Sequence, residues 1–452
     1  MPQGRGQLMA VLLRNAAPAV AAVRAGAYRR LAPLLATVLL LAVPGGRWNV
    51  GGGQVAAADL ASVVLVGACV ALLLRGEGPR LGRVAVLVLG APAVAFAVVT
   101  VASGDPGGSV PGFVRLLQTF VLVPLAVVVL LRDARDVRAV AWAVVAVALV
   151  QGAVGTWQYA TGAGASYMGQ NVRAVGTFGP QNVMSMATVV AYGLVAALCL
   201  ALAPAPGASR RWRGVALGCA GVLAAPLTVS FSRGAWLATA VAVLAVVLLA
   251  ALLGGRRMRR VLLAGLGAVV LLGGGAALGS GMVGERLSSI GDVAGTPDQS
   301  VIDRYAMWDA ALGMWRDEPW TGVGPKGFAG LRDTHASVAL SGGSDTAGAG
   351  QEFARQELLS PHNMYLLVLS EQGLLGATVL IGAWAALLTA GVARLWRRGI
   401  AVDGLLGTGL LVWQLVHFLY GDTGGPTTVL TAVAFGLAAR WSAGPAERGV
   451  RA

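Results

Sequence analysis

The chain has 452 residues, of which 56% are hydrophobic and only 12% are charged. A soluble protein carries about 25% charged residues, so this composition excludes a soluble globular domain, and the formal charge of +14 has to be read from where it sits. Apolar runs of about 20 residues recur along the whole length, long enough to cross a bilayer core of roughly 30 Å and too uniformly apolar for barrel strands.

These runs predict an all-α polytopic membrane protein, a single membrane domain over residues 1–452. Twelve helical spans are expected at about 28–43, 55–74, 84–102, 112–131, 139–158, 182–203, 214–230, 234–253, 261–279, 373–393, 402–420 and 426–441. The first is short and has a basic lead-in, like a signal peptide. Eleven further spans and no A-x-A-like site favour an uncleaved segment. Alternate connections hold Arg5, Arg14, Arg24, Arg29 and Arg30, then Arg75, Arg80 and Arg83, then Arg132, Arg135 and Arg138. The series continues with Arg210, Arg211 and Arg213, then Arg256, Arg257, Arg259 and Arg260, then Arg394, Arg397 and Arg398, and the tail's Arg440, Arg448 and Arg451. The short loops of the other set hold almost no basic residue. This is the positive-inside pattern. It puts both termini in the cytoplasm, makes the cytoplasmic (inner) membrane the expected location, and accounts for the charge without nucleic acid as a partner. Cys69, Cys199 and Cys219 fall inside spans without metal-ligand spacing, so they read as packing residues rather than as a disulfide or zinc site.

Polar material gathers in a few places on the side opposite the arginines. "GTFGPQNVMSMA" (176–187) enters the sixth span, with Pro180 and Asn182 either capping the helix or lining a polar cavity. "VSFSRGAWLA" (229–238) joins two spans with almost no loop. Its Arg233 stands where short loops otherwise lack basic residues, and needs an anionic partner: a distant acid, or a bound phosphate that suits the guanidinium fork. Residues 280–360 form one long extracytoplasmic loop between spans nine and ten. Within it, 301–316 places Ile302, Tyr305, Trp308, Leu312 and Trp315 at helical spacing, as in an amphipathic helix on the membrane surface. Arg304 projects from the edge of that face, either snorkelling to water or aimed into a cavity beneath.

"EPWTGVGPKGF" (318–328) spells G-x-G-x-x-G through Gly322, Gly324 and Gly327. With no preceding strand and no βαβ unit, a tight turn is the better reading than a dinucleotide site. "SGGSDTAGAGQ" (341–351) reads as flexible. The loop ends in "SPHNMYLLVLSEQGLLG" (360–376), with Ser360 as N-cap, Pro361 at the first helical position, and His362 and Asn363 in the first turn. A helix N-terminus favours neutral imidazole, which suits a general base; the alternative is an interfacial histidine without a role. Glu371 lies just below the surface, placed to orient a substrate hydroxyl or to pair with an arginine.

"FSRGAWLA", "DRYAMWDAALGMWRDEPWTGVGPKGF" and "SPHNMYLLVLSEQGLLG", with "GTFGPQN" upstream, resemble the O-antigen ligase and O-antigen polymerase superfamily over about residues 176–390, in the right order. The resemblance implies a polytopic, metal-independent, inverting glycosyltransferase without a cofactor. Such an enzyme takes a glycan from an undecaprenyl-diphosphate-linked donor at the outer face of the cytoplasmic membrane and passes it to a glycan or glycolipid acceptor. It implies that Arg233, Arg304 and His362 carry the reaction, the same three residues that their chemistry and placement single out. Asn363, Glu371, Asn182 and Tyr305 are the expected substrate-binding residues, and no metal ligands are expected. Membrane lipids complete the expected partners.

A secondary transporter or flippase is the competing class, since "RGEGPRLGR" echoes the R-x-G-R of major-facilitator proteins. Pro79 replaces the acidic residue expected there, the halves show no repeat, and few ionisable residues lie deep in spans.

Overall fold

The computed structural model describes residues 29–44, 47–50, 53–79, 81–167, 172–179, 182–256, 259–260, 299–341, 343–348 and 351–444. The expected ninth span, the start of the long loop after it and both chain ends lie outside the described residues.

The chain opens with helix α1 (29–39), which tightens into a 3₁₀ turn at Leu40–Ala42. A hairpin of β1 (Arg47–Val50) and β2 (Gly53–Ala56) leads into α2 (Ala57–Leu74). Next come α3 (Arg83–Ala102) and α4 (Pro106–Leu117), the latter started by an Asp105 cap and Pro106. A π-helical turn at Gln118–Leu122 joins α4 to α5 (Val123–Leu130). Helix α6 (Ala134–Thr161) starts on an Asp133 cap and stops at Gly162, whose φ of 70° suits a residue without Cβ. β3 (Ser166–Tyr167), α7 (Val183–Leu202), α8 (Arg210–Thr228) and α9 (Arg233–Leu253) follow. Then come α10 (Gln299–Asp317), α11 (Gly327–His335), β4 (Ser344–Gly348) and β5 (Gln351–Gln356). The chain closes with α12 (Met364–Arg398), α13 (Val402–His417) and α14 (Thr428–Ala443).

Among the described residues, seven helices are long and apolar enough to cross a membrane. The molecule is therefore an all-α polytopic membrane protein with two small sheets. α13 and α14, at 16 residues each, are shorter. Segment 341–351, expected to be flexible, instead contributes β4 and the start of β5, and β4 also pairs with β3 from the loop before α7. Backbone pairing across two loops supplies order that small polar side chains do not announce.

Helix α7 forms the centre of the bundle: 89% of its apolar window is buried, against 28% for α2 at the periphery. Small residues set the packing distance, as at Gly193, where a Cβ would stand 2.1 Å from that of Ala148 on α6. Buried polar side chains pair across helices. Tyr192 donates to Gln414 at 2.5 Å, and Trp413 donates to Thr239 at 2.9 Å.

The two ends of the bundle differ in chemistry. One collects paired arginines: Arg30 with Asp136 at 2.6 Å, Arg132 on the Glu77 carbonyl, and Arg440 near Asp403. The other collects the starts of α4, α7, α9, α12 and α14 and carries the candidate site.

Candidate active site

Three helix starts and the last turn of α4 reach the same short turn, residues 418–427, between α13 and α14. Met364 N–H, opening α12, donates to the carbonyls of Phe418 and Gly421 at 2.9 and 3.0 Å. On α9, a Cβ at Gly234 would lie 2.9 Å from Tyr420 Cβ, so Arg233 enters beside this turn. At the N-cap of α7, the Asn182 side-chain Oδ1 lies 3.1 Å from where a Gly425 Cβ would stand. On α4, Arg115 donates to the Gly425 carbonyl at 3.4 Å and is held by Asp59 at 2.5 Å. The sequence left only 421–425 as a short connection between the expected spans 402–420 and 426–441. Its signal was Asp422 in a Gly-rich turn next to His417.

Asp422 is the functional candidate that the sequence reading missed. Its Oδ2 lies 3.9 Å from His362 Nδ1 and accepts a hydrogen bond from Ser360 Oγ. At 3.9 Å the imidazole and carboxylate interact through charge rather than through a hydrogen bond. Ser360 Oγ also accepts from His362 N–H at 3.1 Å, so one hydroxyl ties histidine backbone and carboxylate together.

The expected cap is corrected. Helix α12 begins at Met364 with Asn363 as its N-cap, the Asn363 Oδ1 accepting from Tyr365 and Leu366 N–H at 3.0 and 3.1 Å. Asn is among the strongest N-caps, and Ser360 is engaged elsewhere. His362 therefore precedes the helix, at a left-handed φ of 49°, an uncommon state for a side-chain-bearing residue that is held by the surrounding bonds. The Asn363 amide completes its own set by donating to the Leu419 carbonyl at 3.3 Å.

The His362 side chain is 44% exposed. Desolvation is nevertheless the main influence on its basicity. Burial pushes the imidazole below its ordinary value, the Asp422 carboxylate pushes it up, and the Arg304 guanidinium pushes it down; the net direction is downward. His362 is thus biased toward the neutral form by burial and Arg304. Arg304 and Asp422 also act electrostatically on His417, which is stacked on Trp413 at 4.6 Å.

Helix α10 delivers Arg304. Asp303 anchors it, accepting from Ser341 N–H at 2.8 Å and Ser341 Oγ at 2.7 Å. Trp308 Nε1 donates to the Pro361 carbonyl at 2.9 Å, fixing α10 to the residue before His362. Tyr305 meets Trp308 edge-on at 5.5 Å and is 46% exposed. The expected apolar stripe of Ile302, Tyr305, Trp308, Leu312 and Trp315 is not the buried one. Ala306, Met307, Ala310, Ala311 and Met314 are buried, packed with Phe328 and Leu358. Small residues let α10 lie close on the protein, and its buried face rests on protein.

The G-x-G-x-x-G turn is structural, as expected. Gly322 and Gly324 take φ values of 64° and 92°, and Val323 and Gly324 N–H donate to the Ser370 and Glu371 carbonyls at 2.9 and 3.0 Å. In return α12 kinks at Gly373, and Leu374 and Leu375 N–H donate to the Pro319 and Trp320 carbonyls. The Glu371 carboxylate accepts from Phe328 N–H at 3.3 Å, a backbone partner in place of the arginine considered from sequence. Asp317 accepts from His335 Nε2 at 2.9 Å.

The structure therefore brings His362, Asp422 and Arg304 into one electrostatic group, with Arg233 and Asn182 on helices that abut the same turn. Among the described residues, no group of three or more His, Cys, Asp or Glu side chains would hold a metal ion. No curated protein matches the chain. Residues 219–381, which run from within α8 into α12 and contain Arg233, Arg304 and His362, match the family described as O-Antigen ligase, and this match supports an O-antigen ligase/polymerase-like family for the chain.

Proposed function

We propose that this protein transfers a glycan from an undecaprenyl-diphosphate-linked donor to a glycan or glycolipid hydroxyl at the outer face of the cytoplasmic membrane. The observation that supports this best is the group itself: a histidine biased toward neutrality, 3.9 Å from a carboxylate and within the field of an arginine. The inverting reaction is a single displacement. The acceptor oxygen attacks the anomeric carbon from the face opposite the diphosphate. As the new C–O bond forms, the bond to the leaving oxygen breaks. His362 takes the acceptor's proton. With the Nδ1 edge turned toward Asp422, Nε2 is the nitrogen left to accept it. The departing diphosphate gains negative charge, which the guanidiniums of Arg304 and Arg233 stabilise without a metal ion.

Asp422 is a positioning residue in this scheme. It holds Ser360, which holds the His362 backbone, and its charge stabilises the imidazolium that forms. Tyr305, half exposed beside Trp308, and Asn182 are proposed to line the sugar path. Glu371 and Asn363 act through their backbone partners by holding the turn and the helix start.

The test is transfer by the purified full chain from a lipid-linked glycan, with and without EDTA. Unchanged transfer in EDTA supports the guanidinium scheme. Loss of transfer restored by Mg²⁺ would overturn it. Whether the acceptor is a lipid-linked repeat (polymerase) or a separate glycolipid (ligase) follows from which acceptor is consumed.

A further inference from the structure

The opposite end of the bundle holds a cavity of about 410 Å³ whose lining includes Arg138, Arg394, Arg398 and Arg440 but one carboxylate, Asp403. Its size lies in the range of small-molecule sites. The other nine lining residues are apolar, Trp441 among them. Four guanidiniums against one carboxylate leave a formal charge of +3.

A positive-inside bias alone does not produce this arrangement. Arg75, Arg83, Arg135 and Arg210, on the same set of connections, are exposed. By contrast the Arg440 side chain is only 10% exposed and lies 3.7 Å from Asp403, beyond hydrogen-bonding distance. Arg138 reaches carbonyls only at 3.4 and 3.5 Å. The Nε atoms of Arg138 and Arg440 are buried and lack a hydrogen-bond partner. Arg394 is held rigidly, donating to the Trp441 and Gly444 carbonyls at 2.7 and 3.0 Å and stacking over the Trp441 ring at 5.0 Å. Buried charged donors left without acceptors are costly. Those Nε atoms have no surface open to the cavity, but a tetrahedral anion within it would pair with the guanidiniums that line it from several directions at once.

We propose that this cavity binds the phosphate of an anionic phospholipid, with the arginines on the headgroup and the apolar wall against the glycerol and the root of the acyl chains. Basic pockets between membrane helices on the cytoplasmic side take lipid phosphates in this way. The apolar share of the lining favours a lipid over a soluble phosphate, which would leave that wall wet. The site is remote from His362 and independent of the reaction proposed there.

Native mass spectrometry of the full chain in detergent tests this, titrating phosphatidylglycerol, phosphatidylcholine or inorganic phosphate. Phosphatidylglycerol should bind in preference to phosphatidylcholine. The double variant Arg138→Gln/Arg440→Gln should bind it more than tenfold more weakly. Arg398 is exposed, so Arg398→Gln should leave folding intact and weaken binding about fivefold, the effect of one arginine near a lipid phosphate. Equal retention of both lipids, or unchanged phosphatidylglycerol binding in Arg398→Gln and in a folded double variant, would overturn the site. Binding of inorganic phosphate without any preference for phosphatidylglycerol would overturn the lipid assignment.

Discussion

As the proposed general base, His362 has to be neutral to accept a proton and has to stabilise the charge once it has one. Its surroundings divide these tasks, with burial and Arg304 favouring the neutral form and Asp422 the charged form. Because the net direction is below the ordinary histidine value of about 6.5, transfer should be flat through neutral pH and decline only on acidification below it. Asp422→Asn removes an influence that raises the pKa, so the acid limb should move to lower pH while the plateau falls. A purely structural Asp422 would lower the plateau and leave the limb in place; kcat/KM against pH separates the two. His362→Ala should cost about 10²–10⁴-fold, the usual contribution of a general base, at matched expression. Transfer within a few-fold of the unsubstituted chain would sink the proposed mechanism. The histidine was legible because charged and polar residues are rare in this chain and His362 sits at the edge of an apolar run. Asp422 was not, because its pairing with His362 spans 60 positions and only the fold closes that gap. The helix cap was misplaced for a local reason: two strong capping residues, Ser360 and Asn363, compete within one turn, and tertiary bonding to Asp422 decides between them.

The docking of the 318–327 turn on the α12 kink is the element-scale device that carries α10, and so Arg304, to His362. A Cβ at Gly322 would stand 2.4 Å from the Ser370 carbonyl oxygen at a φ of +64°, and one at Gly373 would stand 2.4 Å from Trp320 at +59°. Gly322→Ala therefore combines left-handed strain of about 1–2 kcal/mol with overpacking of about 1–3 kcal/mol. It should lower the melting temperature in detergent and reduce transfer together. An unchanged melting temperature would mean that the turn is not clamped. Helix α11 beside it carries a pH-dependent tether. A hydrogen bond to the Leu331 carbonyl and the Asp317 carboxylate raise the His335 pKa, so this contribution is present below about 6.5 and is lost as pH rises through the raised value. Amide exchange in Gly327–His335 should accelerate over that window in the unsubstituted chain and show no such step in His335→Gln. The sequence displayed α10 and the glycine turn as elements but not which face of α10 is buried. Large aromatic side chains dominate a hydrophobicity pattern, whereas Ala306, Ala310 and Ala311 win in the structure because they permit close approach. Strands β4 and β5 were invisible for a related reason, since their order comes from backbone pairing that includes β3, far away in the chain.

At the scale of the whole molecule, the arginines of the alternate-loop series and the candidate site, which has arginines of its own, occupy opposite ends of one helical bundle. That separation was legible from arginine spacing alone, because the positive-inside bias acts on loops one by one and needs no tertiary knowledge. The precise span count is harder to read, since α13 and α14 are short and are surrounded by protein, where burial among helices relaxes the length a lipid-facing span needs. If the arginine-rich end faces the cytoplasm, the site faces outward, where a lipid-linked glycan would be presented. Impermeant thiol labelling in intact cells checks this. Of the native cysteines Cys69 and Cys199 are buried, and only Cys219 is partly exposed, so a Cys219→Ser background removes the main competing signal. Ser344→Cys, on β4 at the site end, should label without permeabilisation. Ser209→Cys, exposed at the start of α8 at the arginine end, should label only after it. The reverse pattern would put the proposed catalytic group in the cytoplasm, leaving the geometry around His362 intact but removing the proposed donor from its reach.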